Sequence, residues 1–397
     1  MNKDFIASDL ISKIENVIGY NKGNKNFALH EPTFKGSKAS SYLEDCIASG
    51  WVSSNGKWVV RFEEEIKRFT GAKYAIAVTN GTVGLRLALF IVGVKPGDEV
   101  IVPPLTFVAS ANAISHLGAY PNFVDIENKS LGICPESLSK YLKKIIEYKS
   151  GSVWNKKTGR RIAAILPVHV FGNPCEIIEI SKIAHKYNLP IVEDAAEALG
   201  SKLLKKHCGT YGDIGIFSFN GNKIITTGGG GVLITDNKFF AEKAKYLSTT
   251  AKEAHPWEMR HHSIGWNDRM PNLNAALGVS QIELLDKKLE EKRLLSKKYQ
   301  KALSVVPSIE FIGDPLNESI NHWLISIKFI EKVRENAIQQ KLEVLTKAHQ
   351  KNIFLRPAWE LLNKLPMYKS MPSAALDVAE EEAPRILSLP SSPQLID

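Results

Sequence analysis

Between Phe62 and Asn237, short β-rich runs alternate with stretches of helical periodicity, and this alternation constrains the fold more than any other feature of the chain. Strands separated by helices cross over and lie parallel, with helices on both faces of the sheet. Seven strands are expected, at Tyr74–Val78, Glu99–Val102, Asn122–Val124, Ile162–Pro167, Ile191–Glu193, Ile214–Phe217 and Val232–Thr235. Helical stretches such as Thr82–Leu89, Phe107–Leu117, Pro135–Ile146 and Glu176–Tyr187 separate them. After Asn272 the pattern changes. Ile282, Leu285 and Leu289 recur at helical spacing among Lys and Glu, and strand-like Ile309–Ile312 and Leu324–Phe329 precede a helical Arg334–Gln350. The expected fold is therefore α/β: an N-terminal arm and large domain over 1–280, built on a mostly parallel seven-stranded sheet, then a smaller C-terminal α+β domain over 281–397.

With 397 residues, 44% hydrophobic and 23% charged, the chain can bury a sizeable core, which excludes a disordered or coiled-coil protein. Lys and Arg outnumber Asp and Glu by 51 to 42, so the surface attracts anions, a phosphorylated substrate as well as nucleic acid. The basic residues are dispersed except over Lys143–Arg161, which reads as a solvated loop; no nucleic-acid motif sits beside it, and no nucleic-acid partner is expected. Cys46, Cys134, Cys175 and Cys208 lie far apart without a CxxC pair or a His at ligand spacing. Neither a disulfide framework nor a metal site is expected, and a reducing cytosol is the default. The N-terminal residues carry acids and no long apolar stretch, unlike a signal peptide. Prolines, Asn112, Ser115 and His116 interrupt the weakly charged run Ile101–Val124 before about 20 apolar residues accumulate, so no membrane span is expected and the protein reads as cytoplasmic.

Three segments carry candidate chemistry. Tyr74–Val78 runs through Thr79-Asn80-Gly81-Thr82 into a helical pattern, and a strand, a small-residue turn and a helix start together make a phosphate site. Simple capping by Asn80 or Thr82 is the plainer reading of the same residues. Pro190-Ile-Val-Glu-Asp194 ends in acids at the carboxyl end of a strand, where open α/β sheets bind ligands, although an Asp can also merely cap the next helix. Gly215–Lys223 leaves an apolar strand through a polar turn to a lysine, ordinarily solvent-exposed, which becomes a Schiff-base nucleophile only in suitable company. The glycine run Thr226–Gly231 matches neither a Walker loop nor GxGxxG and precedes a strand, so it reads as a place of tight backbone packing. Phosphate turn, strand-end aspartate and turn lysine, in that order, are the parts needed to hold pyridoxal 5'-phosphate (PLP).

Six ordered segments resemble the DegT/DnrJ/EryC1/StrS sugar aminotransferases, which are fold type I PLP enzymes: Thr79–Leu85, Pro104–Ala113, Pro167–Gly172, Val192–Glu197, Phe217–Lys223 and Gly265–Met270. The resemblance implies Lys223 as the lysine that forms the imine and Asp194 as the partner of the pyridine nitrogen. It further implies that Gly81, Thr82 and Ser218 hold the phosphate, that Phe107 lies against the ring, and that Asn267 reaches the phosphate from a neighbouring subunit. A homodimer with a shared active site follows. Arg269 is a candidate for a substrate phosphate. Glu197 stands where many relatives carry an amide or imidazole; it is either protonated through a raised pKa or turned toward substrate. His169 reads as structural.

A narrower likeness, in Asn220–Gly231, Thr249–Trp257, Arg356–Trp359 and Leu387–Ser392, points to the branch acting on UDP-linked 4-keto-6-deoxy-N-acetylhexosamines, which feeds legionaminic-acid and bacillosamine-type sugars. The expected reaction is ping-pong transfer of an amino group from L-glutamate to C4 of a nucleotide sugar, passing through pyridoxamine 5'-phosphate (PMP). Amination at C3, dehydration on the same scaffold, and a non-catalytic basic binding protein stay open at this point.

Overall fold

All seven expected runs form strands in the computed structural model, which describes residues 3–20, 26–314, 316–317 and 319–396. They are β1 (Tyr74–Val78), β2 (Glu99–Val102), β3 (Tyr120–Phe123), β6 (Arg160–Ile165), β7 (Val192–Asp194), β10 (Ile214–Ser218) and β11 (Gly231–Thr235), with a hairpin β4 (Ile146–Lys149) and β5 (Ser152–Asn155) before β6 and a two-residue hairpin β8 (Lys202–Leu203) and β9 (Lys206–His207) after β7. Strands β3, β2 and β6 pair in parallel, as do β7 and β10. Parallel bridges Ile165–Ile191 and Val168–Asp194 join the two groups. Strand β11 returns antiparallel between β10 and β1. The sheet order is thus β3-β2-β6-β7-β10-β11-β1, mostly parallel as expected. Strands β2, β10 and β11 are buried almost throughout, as helices on both faces require.

One expectation is corrected. Lys143–Arg161 is not a solvated loop: β4 and β5 form a hairpin that extends the sheet beside β6. Ser150 and Gly151 at its tip both have positive φ, 49° and 72°, the backbone of a tight two-residue hairpin turn. The two arginines of this stretch are used locally. Arg161 pairs with Asp98 and donates to the Gly93 carbonyl at 2.6 Å, and the Arg160 guanidinium lies 3.7 Å from the Tyr120 ring centroid.

The C-terminal residues form an antiparallel sheet of β12 (Ile309–Phe311), β13 (Ser326–Phe329), β15 (Ile386–Ser388) and β14 (Arg356–Pro357), covered by the helices Leu285–Leu303 and Arg334–Gln350. The apolar side of the N-terminal helix Lys3–Ile18, with Leu10, Ile14 and Ile18, is buried in the same cluster as Leu295, Tyr299 and Val344. A division at 280 is a proposal that follows the chain; by packing, the N-terminal helix sides with the second unit. Pro372–Ala374 in turn covers the outer edge of β3, through Phe123 N–H to the Pro372 carbonyl at 2.9 Å and Ala374 N–H to the Phe123 carbonyl at 2.8 Å. No helix among the described residues is long and apolar enough to cross a membrane.

Candidate active site

The carboxyl ends of β1, β7 and β10 open into a cavity of about 870 Å³, as expected for ligand sites in α/β sheets. Its floor and one wall come from the turns after those strands. Leu29, His30, Trp323, Arg356 and Trp359, from other parts of the chain, also line it. Gly81, Thr82, Phe107, Asp194, Glu197, Ser218 and Lys223 all line it, so seven of the residues singled out from sequence meet in one place.

The turn after β1 is held by Asn80, whose Oδ1 caps the helix Gly81–Ile91 by accepting the Val83 amide at 2.9 Å. Capping and anion binding are therefore compatible, since Asn80 satisfies Val83 and the Gly81 and Thr82 amides have no carbonyl behind them in the helix. A Cβ at Gly81 would lie 2.9 Å from the Ser218 Cβ, and one at Gly231 would lie 2.6 Å from the Asn80 carbonyl carbon. The glycine run thus brings the start of β11 against the turn. Side chains at either glycine would fill the cradle beside Ser218.

Asp194 is buried at the end of β7; its Oδ2 accepts from Ser110 Oγ at 2.7 Å and its Oδ1 from the Ala196 amide at 3.2 Å. Burial pushes its carboxyl above the ordinary range. A cation placed against it in the cavity reverses that cost. Lys223 Nζ lies 3.5 Å from Glu197 Oε1 and 3.9 Å from the centroid of the Trp323 ring. Glu197 Oε2 accepts the Phe171 amide at 2.8 Å. Its carboxyl is pushed up to about 7, because burial outweighs the pull of the Lys223 amine. Glu197 is thus both raised in pKa and turned toward Lys223. The donor set suits PLP: a buried carboxylate for a pyridinium N–H, free helix amides and a hydroxyl for a phosphate, and an amine for an aldehyde.

The titration of Glu197 has a consequence for stability. Its pKa rises from 4.5 unfolded to about 7 folded, so the folded state holds a proton that the unfolded state releases between these values. Stability falls as pH rises through that window, by up to roughly 3 kcal/mol above it. Glu197→Gln removes the titration and can keep the acceptor for Phe171. The cofactor-free variant is expected to gain stability over the wild type at pH 8 and little at pH 4.5, as read by denaturant melts. An equal change at both pH values would refute a raised Glu197.

Asn267 and Arg269 do not line the cavity of their own chain. They lie on a segment that bridges the end of β1, through Val78 opposite Arg269 and Thr79 N–H to the Asp268 carbonyl at 2.9 Å. Arg269 donates to Asn267 Oδ1 at 3.0 and 3.1 Å, and Asn267 is exposed. His169 is buried behind the cavity, accepting the Cys175 amide at Nδ1 (3.1 Å) and hydrogen-bonded to Glu193 through Nε2 (2.9 Å), which is a structural arrangement. Glu193 also accepts the Gly209, Tyr211 and Gly212 amides, fixing the loop that leads into β10. Among the described residues no group of three or more His, Cys, Asp or Glu could hold a metal ion. Sequence reasoning missed Ser110, one of several small polar residues in the helix Ala109–Ser115, and Trp323, which no local pattern marks.

Residues 35–397 match the model of the DegT/DnrJ/EryC1/StrS aminotransferase family. The chain is 35% identical over 377 residues to a GDP-perosamine synthase of Vibrio cholerae, covering 93% of this chain and 95% of that protein. It is 34% identical to the putative pyridoxal phosphate-dependent aminotransferase EpsN of Bacillus subtilis, over 87% of this chain and 84% of that one. The structure superposes on Helicobacter pylori PseC, an aminotransferase involved in the biosynthesis of pseudoaminic acid, with a TM-score of 0.80 at 26% identity, covering 92% of this chain and 94% of that one. With a match that spans nearly the whole chain and a cavity whose donors suit the cofactor, this protein belongs to the DegT/DnrJ/EryC1/StrS family of PLP-dependent sugar aminotransferases.

Proposed function

We propose that this enzyme transfers an amino group from L-glutamate to C4 of a nucleotide-linked 4-keto-6-deoxy sugar. The observation that carries the proposal is the Lys223 amine, set beside Glu197 in the cavity whose wall also bears buried Asp194 and the free amides of Gly81 and Thr82. PLP, when bound, supplies a cationic ring that accepts an electron pair. Gly81, Thr82 and Ser218 would hold its phosphate, Asp194 would pair with its ring nitrogen, and Phe107 would restrict its tilt. Lys223 Nζ takes a proton from Cα of the donor in the first half-reaction and returns one to C4 of the sugar in the second. Glu197, with a carboxyl near neutrality, exchanges a proton with that amine.

Asn267 serves the cavity of a second copy in this reading, giving a homodimer with shared sites. Its exposure supports this, as do Trp257, Met259 and Ile264, which lie exposed a few residues before it. The reaction is placed in the cytoplasm, where nucleotide sugars and glutamate meet.

The nucleotide is the finer part of the proposal. The sequence likeness favours a UDP-linked N-acetylhexosamine, whereas the relative from Vibrio cholerae is named for a GDP-linked product. Isotopically labelled glutamate offered with UDP-, GDP- and dTDP-linked 4-keto sugars, and mass spectrometry of the products, decides between them. A labelled amino sugar from the UDP substrate supports the reading. No labelled amino sugar from any of the three would sink it.

Besides Lys223, Arg356 is the one Lys or Arg on the cavity wall among the described residues. Both substrates are anions and enter the same cavity in turn. Arg356→Ala is expected to raise both KM values about tenfold, as loss of a charge-assisted hydrogen bond does, with kcat within about threefold. Steady-state kinetics with each substrate varied checks this; two unchanged KM values would place the anions elsewhere.

A further inference from the structure

Trp323 reaches the cavity from the segment before β13, about a hundred positions along the chain from Lys223, yet three hydrogen bonds of its own pin it there. Its indole N–H donates to the carbonyl of Asn222, the residue preceding Lys223, at 2.7 Å. Its amide donates to Asn321 Oδ1 at 2.9 Å, and Asn321 Nδ2 donates to the Glu197 carbonyl at 2.7 Å. Its own carbonyl accepts Nζ of the fully buried Lys292 at 2.8 Å. Trp323 and the Asn321 side chain together thereby link the peptide preceding Lys223 to the Glu197 carbonyl, and the Trp323 ring face lies under the Lys223 amine.

We propose that Trp323 is a positioning residue for Lys223: its indole face seats the ammonium whenever the amine is unattached, and its N–H clamps the peptide from which Lys223 projects. The inference rests on the assignment of Lys223 above. The Lys223 side chain is only 12% exposed, so water cannot solvate its charge fully. Glu197 is an incomplete counter-charge, being raised to about 7 and part-protonated at neutral pH. The face of an indole carries negative potential that does not titrate, and a poorly solvated cation over it is stabilised. The other ionisable groups facing this amine are Asp194 and His30, with Lys292 beyond the Trp323 backbone. Among the Asp and Glu of the described residues, Glu197 alone forms an ion pair with it.

The test uses the full-length protein freed of cofactor. Attachment of added PLP is followed by its visible absorbance across pH, then fixed with borohydride and mapped by peptide mass spectrometry. Trp323→Leu removes the face that favours the ammonium, so the pH of half-maximal attachment rate is expected to fall by about half a unit or more. Trp323→Phe keeps a face and loses the N–H; attachment is expected to slow at every pH with the midpoint held. Trp323→Met, which fills the space without a ring, replaces the leucine variant if that one does not fold. A role in packing alone would alter amounts bound without moving the midpoint. A midpoint unchanged in the leucine or methionine variant, with the tag still on Lys223, overturns the seat, and a wild-type rate in the phenylalanine variant overturns the clamp. A wild-type tag at any other residue instead removes the parent assignment.

Discussion

Lys223→Ala is expected to lower amino transfer by about 10⁴-fold or more, since one amine both bonds the cofactor and moves the proton in each half-reaction. The fold is expected to survive. The lost ammonium is the main charge that lowers the Glu197 pKa, so without it Glu197 rises further and stays neutral at pH 7 instead of becoming an uncompensated buried anion. The groups assigned to the phosphate and ring, Gly81, Thr82, Ser218 and Asp194, are untouched. PMP, which needs no lysine, is therefore expected to bind within about tenfold of the wild-type affinity, a small loss beside that in turnover. Turnover with glutamate and keto sugar, and equilibrium dialysis of PMP, measure the two quantities separately. Residual turnover above about a hundredth of the wild type would remove Lys223 from the chemistry, and loss of PMP binding together with turnover would make it a structural residue.

How much of this was legible in the sequence follows from where each residue's partners lie. The strands were legible because burial on both faces demands continuous apolar runs, and Val100–Val102 or Ile214–Phe217 can serve as little else. Gly81, Asp194 and Lys223 were legible because each sits within a few residues of a strand end, where sheet topology sets its direction, whereas Ser218 was marked only by the family resemblance. The β4–β5 hairpin was hidden by its composition. The lysines that flank it, Lys143, Lys144, Lys156 and Lys157, suggest solvent, while the decisive feature is the backbone at Ser150 and Gly151. The antiparallel course of β11 was equally hidden, because direction depends on how Gly228–Gly231 turns the chain back beside the cavity, and residue types do not encode that locally. Trp323, His30 and Arg356 reach the wall from distant parts of the chain, so their place depends on how the C-terminal sheet docks. Arg356 stood inside a segment whose resemblance was visible, but its place on the cavity wall was not.

Asp194→Asn tests the electrostatic half of the site and should leave the protein folded. The carboxyl is buried with a raised pKa, so it weighs against the folded state increasingly as pH rises above its unfolded value, and a neutral amide of the same shape removes that cost. An asparagine oxygen can still accept from Ser110 Oγ or the Ala196 amide, which now hold the two carboxylate oxygens. Cofactor-free Asp194→Asn is therefore expected to melt at or above the wild-type temperature at pH 7.5. What the amide cannot do is hold a positive charge on the ring nitrogen, and electron withdrawal depends on that charge. Losing one preorganised charge of this kind costs about 10²–10³-fold in rate. Both half-reactions should slow by that factor when each is followed alone, the first with glutamate and the PLP form, the second with keto sugar and the PMP form. A loss in only one half-reaction would mean that Asp194 acts on a substrate. Rates within about threefold of the wild type in both would mean that the buried carboxylate has no part in electron withdrawal and that its pairing with Ser110 serves the fold.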